Sequence, residues 1–172
     1  MNTGSSGRMG NVSSDLSLHH IGILVSDVAM CSEEYVRMGY RICSPVIHDP
    51  RQTAYVRFFA MTGNPAYLEL VAPDGPTSLL ANALKRGGGI HHLCYSTDDI
   101  TAALRKFRDH GAIVVSEPVP AVAFHNNRIA WLINRDRALI ELVERSGDDA
   151  LDFVLPRQRS HTSNWRRAKD RL

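Results

Sequence analysis

Hydrophobic and polar residues follow two periods along residues 18–145, and the same order of periods runs through the chain twice. LHHIGILVSD (18–27) and IHHLCYSTDD (90–99) each read as a short strand that ends at an aspartate. Asp27 and Asp99 stand where an N-cap belongs, because a carboxylate there can accept from the first free helix amides. Val28, Cys31, Tyr35 and Met38 then recur at helical spacing, as do Ile100, Ala103, Phe107 and His110. Gly39 and Gly111 close these helices as residues able to enter the left-handed conformation. Three strands follow in each half, at 40–47, 53–61 and 66–72 and at 112–116, 127–133 and 138–144, separated by turn residues such as Gly63-Asn64-Pro65 and Asn134 to Asp136.

A gapless shift of 72 residues superposes the halves. It places YLELVA (67–72) on LIELVE (139–144), Gly39 on Gly111 and Ser44 on Ser116. Nine identities in 55 aligned positions are few, but they fall on turn glycines, caps and the HH and EL pairs. The expected architecture is α+β, two tandem βαβββ modules at 18–73 and 90–145 with curved mixed sheets that form a cup. DGPTSLLANALKRGGG (74–89) is expected to join them as a helix with a triple-glycine exit. The domain is expected over 17–146, after a disordered tail at 1–16 and before a basic tail at 147–172.

Composition narrows the class without changing this picture. Apolar content of 44% and charged content of 22% suit a globular domain. The longest apolar runs are too short for a bilayer span and the opening residues lack a signal-peptide pattern, so a cytoplasmic location and no membrane are expected. Cys31, Cys43 and Cys94 show no CxxC pairing, which argues against a disulfide framework or a thiolate zinc site and for reduced core cysteines. The net charge of +2 is uneven, since residues 157–172 carry six basic and one acidic side chain. With no basic stripe or aromatic platform beside it, that tail is read as solvated, and nucleic acid is not an expected partner.

The candidate chemistry lies in the repeat. Alternation on a strand predicts that His19 and His20 face opposite ways, as do His91 and His92. Glu69 and Glu141 sit mid-strand among apolar residues, where a carboxylate is costly unless paired or coordinated. A lone strand histidine is more often hydrogen-bonded filler, and a lone buried glutamate more often salt-bridged. Two His-Glu pairs at the same 49-residue spacing, His20 with Glu69 and His92 with Glu141, point instead to one divalent metal ion bound between the modules. Mixed nitrogen and oxygen donors suit Mg, Mn, Fe, Co, Ni or Zn. His20 and His92 are preferred over their neighbours because Gly22 and Cys94, two positions on, leave room at the ion.

These residues resemble the vicinal oxygen chelate superfamily, which contains glyoxalase I, methylmalonyl-CoA epimerase, extradiol dioxygenases and bleomycin resistance proteins. Within it, GPTSLLANALKRGGGIHHLCYSTDDITAAL (75–104) and RIAWLINRDRALIELVE (128–144) are similar to the epimerase branch. The resemblance implies a glyoxalase-like fold, metal ligands His20, Glu69, His92 and Glu141, and proton transfer next to a carbonyl through a metal-stabilised enolate. Glu141, with Glu69, would act as base on an acyl or thioester substrate, and the chain would pair as a homodimer. A glyoxalase I type lyase is the alternative enzyme, and a binding protein of the resistance kind the non-catalytic one. Epimerases carry a second carboxylate on the strand before the first glutamate ligand. TAYVRFFAM (53–61) has none, and offers Tyr55 and Arg57 instead as substrate contacts. AFHNNR (123–128) offers His125 and Asn127, or is simply a turn.

Overall fold

The computed structural model describes residues 16–145. The expected tails lie outside the described residues, apart from Leu16. Helix α1 (Val28–Arg37) follows strand β1 (Ser17–Leu24), and helix α3 (Ile100–Asp109) follows strand β6 (Gly89–Thr97). Both are capped as their sequences require: Asp27 accepts from Met30 N at 2.8 Å and Asp99 from Ala102 N at 2.9 Å. Gly39 and Gly111 follow the helix ends with φ of 95° and 85°.

The remaining strands are β2 (Arg41–Ile42), β3 (Ile47–Asp49), β4 (Ala54–Ala60) and β5 (Tyr67–Pro73) in the first half. The second half has β7 (Ile113–Pro120), β8 (Arg128–Ile133) and β9 (Leu139–Glu144). The nine strands of the described residues form one mixed sheet in the order β2-β4-β5-β1-β6-β9-β8-β7, with β3 also on β4. β1 is parallel to β5 and β6 is parallel to β9, while β1 and β6 pair antiparallel at the centre. The two halves therefore share one sheet whose middle is the module junction.

Residue parity divides that sheet into a helix face and a cavity face. Leu68, Leu70 and Ala72 of β5 pack with Val28 of α1, and Ile140 and Leu142 of β9 pack with Ile100, Ala103 and Leu104 of α3. Burying each of the valine, leucine and isoleucine side chains among them stabilises the fold by about 1.5–3 kcal/mol. On the opposite face Val56, Phe58, Val71, Phe124, Ile129 and Val143 form a single cluster drawn from both halves. Glu69 and Glu141 share the parity of Val71 and Val143, so they face the cavity.

Three expected elements differ from the structure for identifiable reasons. Strand 40–47 splits into β2 and β3, because Pro45 lacks an amide and Ser44 Oγ accepts from Phe58 N at 3.0 Å in place of a strand partner. The linker is helical only over α2 (Ala81–Lys85). Before it, Ser78 Oγ donates to Thr53 O at 2.7 Å and Thr53 Oγ1 accepts from Leu79 N, bonds that compete with a helical first turn. Strand 112–116 extends to Pro120, which β7 tolerates as an edge strand paired only to β8.

Candidate metal centre

The central strands carry two β-bulges, and these position the histidines. Between the pairs Leu18–Tyr95 and His20–Cys94, β1 advances two residues against one on β6, so His19 is the extra residue. Between Gly22–His92 and Ile23–Ile90 the surplus is on β6, and His91 is the extra residue. A bulge suspends alternation, which corrects the expectation of opposite faces. His19 is buried against Phe58, Tyr67 and Phe124, and His91 lines the same cavity as His92.

Register then builds two rows across the module junction. Glu69, Gly22 and His92 lie side by side on β5, β1 and β6; Glu141, Cys94 and His20 lie side by side on β9, β6 and β1. Each row joins a carboxylate of one half to the imidazole of the other through a small residue. At Gly22 a Cβ would fall 2.0 Å from Cε1 of His92, so the ring lies directly over the glycine. The room left by Gly22 thus serves the histidine of the opposite module.

The four side chains converge within this one chain. His20 Nε2 and His92 Nε2 are 2.9 Å apart. Glu69 Oε2 lies 3.4 Å from His20 Nε2 and 3.3 Å from His92 Nε2, and Glu141 Oε2 lies 3.2 and 3.5 Å from the same two atoms. Donors held about 2.1 Å from one ion stand about 3.0 Å apart at a right angle and about 3.4 Å apart at a tetrahedral one. The five separations, 2.9 to 3.5 Å, lie within about 0.1 Å of that range, and two carboxylates with two neutral imidazoles carry the charge that a divalent cation neutralises.

All four are almost fully buried. Burial opposes a charged imidazole, but the hydrogen bonds and charges of Glu141 and Glu69 outweigh it and raise His92 to about 9. The same opposition raises His20. Burial favours neutral carboxyls, yet the two histidines hold both Glu69 and Glu141 below the ordinary carboxylate range. His91 goes the other way, down to about 4, through burial and the adjacent charge of His92.

Glu69, His92 and Glu141 line a cavity of about 510 Å³, which the fully buried His20 does not reach, with a mainly apolar wall that includes Val56, Val119, Ile129 and Trp131. Tyr55 and Arg57 do not reach it. They share the parity opposite to Val56 and Phe58, so Arg57 donates to Ser32 Oγ and Ser44 O, both at 3.2 Å, and exposed Tyr55 stacks on His48. His125 and Asn127 belong to the turn before β8, where His125 and Asn126 have φ of 53° and 65°, and neither lines the cavity.

The polar wall residues that sequence reasoning missed are Asp49, Arg51, Gln52, His91 and Ser116. Asp49 accepts from Arg51 N, Gln52 N and Val122 N at 3.0, 3.3 and 2.8 Å, tying the β3–β4 turn to the second half. Gln52 Oε1 accepts from Trp131 Nε1 at 3.2 Å. Trp131 pairs with Glu141 across β8 and β9 and meets the His92 ring edge-on at 4.9 Å, as Phe58 pairs with Glu69 and meets His20 at 5.4 Å.

The same combination of repeat and sheet occurs in known proteins. The family model for the glyoxalase/bleomycin resistance protein/dioxygenase superfamily matches residues 19–131. The ethylmalonyl-CoA/methylmalonyl-CoA epimerase of Cereibacter sphaeroides is 30% identical over 130 residues, covering 73% of this chain and 95% of that protein. The crystal structure of methylmalonyl-CoA epimerase from Mycobacterium tuberculosis superposes with a TM-score of 0.65 at 30% identity, covering 82% of this chain and 97% of the other. A methylmalonyl-CoA epimerase in complex with methylmalonyl-CoA and an ammonium ion superposes with a TM-score of 0.66 at 27% identity, covering 78% and 97%. Duplicated modules, the shared sheet and these matches agree, and the chain belongs to the glyoxalase/bleomycin resistance protein/dioxygenase superfamily, with methylmalonyl-CoA epimerases among its relatives.

Proposed function

We propose that this chain is a divalent-metal-dependent isomerase of the epimerase kind, which moves a proton at the carbon next to the carbonyl of an acyl thioester. The observation that carries the reading is the meeting of His20, Glu69, His92 and Glu141 in one cluster, of which Glu69, His92 and Glu141 line an apolar cavity large enough for an acyl group. A divalent ion held by these four side chains would supply Lewis acidity to the acyl oxygens. The relatives at 27–30% identity, one of them solved with methylmalonyl-CoA, support the substrate class.

The chain's own groups account for the rest. Inversion requires a proton carrier on each side of the reacting carbon, and three acids line the cavity among the described residues: Asp49, Glu69 and Glu141. Three backbone amides occupy the oxygens of Asp49, which makes it a tie. Glu69 and Glu141 remain, and they flank the two histidines from β5 and β9 on opposite sides of the module junction. Glu141 removes or returns the proton on one face through a carboxylate oxygen, and Glu69 does so on the other. A positioned general base contributes about 10²–10⁴ in rate.

Arg51 supplies the anion contact that the sequence placed at Arg57. It carries the one guanidinium among the described residues of the cavity wall, and its Nη1 makes only long contacts, 3.4 Å to Pro120 O and 3.5 Å to Asn126 Oδ1. Its remaining donors suit a carboxylate or phosphate of the substrate.

The deciding experiment is solvent deuterium incorporation into methylmalonyl-CoA by metal-loaded protein, followed by both exchange and inversion. Incorporation at the α-carbon is the expected result. Turnover of methylglyoxal with glutathione in its place would assign the glyoxalase I reaction. Divalent-metal binding without turnover of either would assign a binding protein.

A further inference from the structure

The second nitrogen of each central imidazole has a partner of its own. Nδ1 of His20 is 2.8 Å from Nδ1 of His19, and Nδ1 of His92 is 3.0 Å from Nδ1 of His91. One nitrogen of each pair must donate and the other accept. A ring whose Nε2 offers its lone pair to a cation carries its proton on Nδ1, so His20 and His92 are the donors. The accepting rings then have a bare Nδ1 and carry their own proton on Nε2.

We propose that His19 and His91 are positioning residues for the metal centre: each accepts the Nδ1–H of the next histidine and thereby fixes its tautomer and ring plane, with Nε2 aimed at Glu69 and Glu141. One feature of the backbone and one of the side chains support this. Each accepting histidine is the extra residue of a β-bulge, the device that brings consecutive side chains to one face, and the bulge occurs once on β1 and once on β6. The pairs also recur 72 residues apart with nearly equal N–N distances. Ring packing alone would be met equally well by phenylalanine, since His19 sits among Phe58, Tyr67 and Phe124 and His91 beside Trp131. The polarity of the ring is needed only for the hydrogen bond. Partners of this kind on ligating histidines are worth about 10–100-fold in metal affinity.

The inference rests on the metal-centre reading given above, and its test has two readouts on the full chain. Nitrogen-15 NMR of the metal-free protein at pH 7 reads the ring nitrogens directly. The expected result is a His91 ring protonated on Nε2, with a through-hydrogen-bond coupling between the Nδ1 atoms of His91 and His92. A proton on Nδ1 of His91 would overturn the proposal. The second readout is Co(II) affinity: His91→Phe should weaken it about 10–100-fold, and His91→Gln, whose Oε1 accepts the same Nδ1–H, should restore most of the loss. Unchanged affinity in His91→Phe overturns the proposal. If the unaltered chain binds no divalent ion, the proposed function fails, and the ring-nitrogen result still decides the orientation claim.

Discussion

The imidazole of His92 lies across the backbone of Gly22, occupying the space that any side chain on that glycine would need; a Cβ there would come within 2.0 to 2.6 Å of three ring atoms. Gly22 is paired to both Glu69 and His92, so it is the bare middle of a three-strand row. Replacing it by alanine should push the ring away from the other donors. The expected cost is about 1–3 kcal/mol in stability from overpacking, together with loss of divalent-metal binding. Urea denaturation with and without metal checks both, because the stabilisation by metal should shrink more than the metal-free stability does.

Glu69 and Glu141 occupy equivalent places in the two halves and carry opposite faces of the reaction in the proposed scheme. Glu141→Gln should slow α-proton exchange of one epimer of methylmalonyl-CoA by about 10²–10⁴-fold and spare exchange of the other. Glu69→Gln should show the reverse preference. Deuterium incorporation into each epimer, measured at matched metal occupancy, reads this out, and equal loss for both epimers in each variant would remove the two-face assignment.

Much of this was legible in the residues because the repeat writes the same chemistry twice. The caps at Asp27 and Asp99, the turn glycines and the parity of Glu69 and Glu141 follow from periodicity alone. The bulges at His19 and His91 do not, since an extra residue in one strand leaves the hydrophobic pattern almost unchanged. Trp131 escapes the repeat for a related reason. The gapless 72-residue shift sets it opposite Phe59, whereas its structural counterpart is Phe58. Six residues separate β4 from β5, at 61–66, and five separate β8 from β9, at 134–138, so the repeat slips by one in that hairpin. Arg57 lies on the helix face because Phe58 opposite Glu69 fixes the parity of its strand, and the polarity of TAYVRFFAM alone does not reveal that register.

Metal-free protein should lose stability at both ends of the pH scale. His92 is raised to about 9 and His20 is raised from 6.5, so their contribution is complete below the unfolded value of 6.5 and disappears as pH climbs through the folded values. Glu69 and Glu141 are lowered from 4.5, so their contribution is present above 4.5 and disappears as pH falls through the folded values. The urea midpoint of chelator-treated protein should therefore be highest between about pH 5 and 6.5. Saturating metal should remove the alkaline decline, because the imidazoles then need no proton. A flat alkaline limb without metal would show that the histidines are not held protonated by the two carboxylates.

Arg51 should act on substrate affinity. Arg51→Leu is expected to raise KM for methylmalonyl-CoA about tenfold, the effect of losing one charge-assisted hydrogen bond of about 1.4 kcal/mol or more, with kcat within a few-fold of the unaltered enzyme. Arg57→Leu, on the helix face, should leave KM alone and lower stability through its bonds to Ser32 and Ser44. Steady-state kinetics on the two variants separates them. The opposite pattern would return the anion contact to Arg57.

Asp49 offers the sharpest division between holding the cup together and moving a proton. It is only 2% exposed and lines the cavity, yet its oxygens accept from Arg51 N, Gln52 N and Val122 N, the last from the opposite half. Removing the acceptor of these part-buried hydrogen bonds costs about 0.5–1.5 kcal/mol for each bond lost. Asp49→Ala should therefore lower the urea midpoint accordingly and, at concentrations where it remains folded, keep deuterium exchange per folded molecule within a few-fold. Asp49→Asn retains a carbonyl acceptor and should recover part of the stability with the same exchange. Loss of exchange by about 10²-fold or more in a folded Asp49→Asn would instead make this carboxylate a proton carrier, because amide and acid differ there chiefly in the ability to take up a proton. Glu69 would then be left as a metal ligand alone, and the face it serves in the proposed reaction would pass to Asp49.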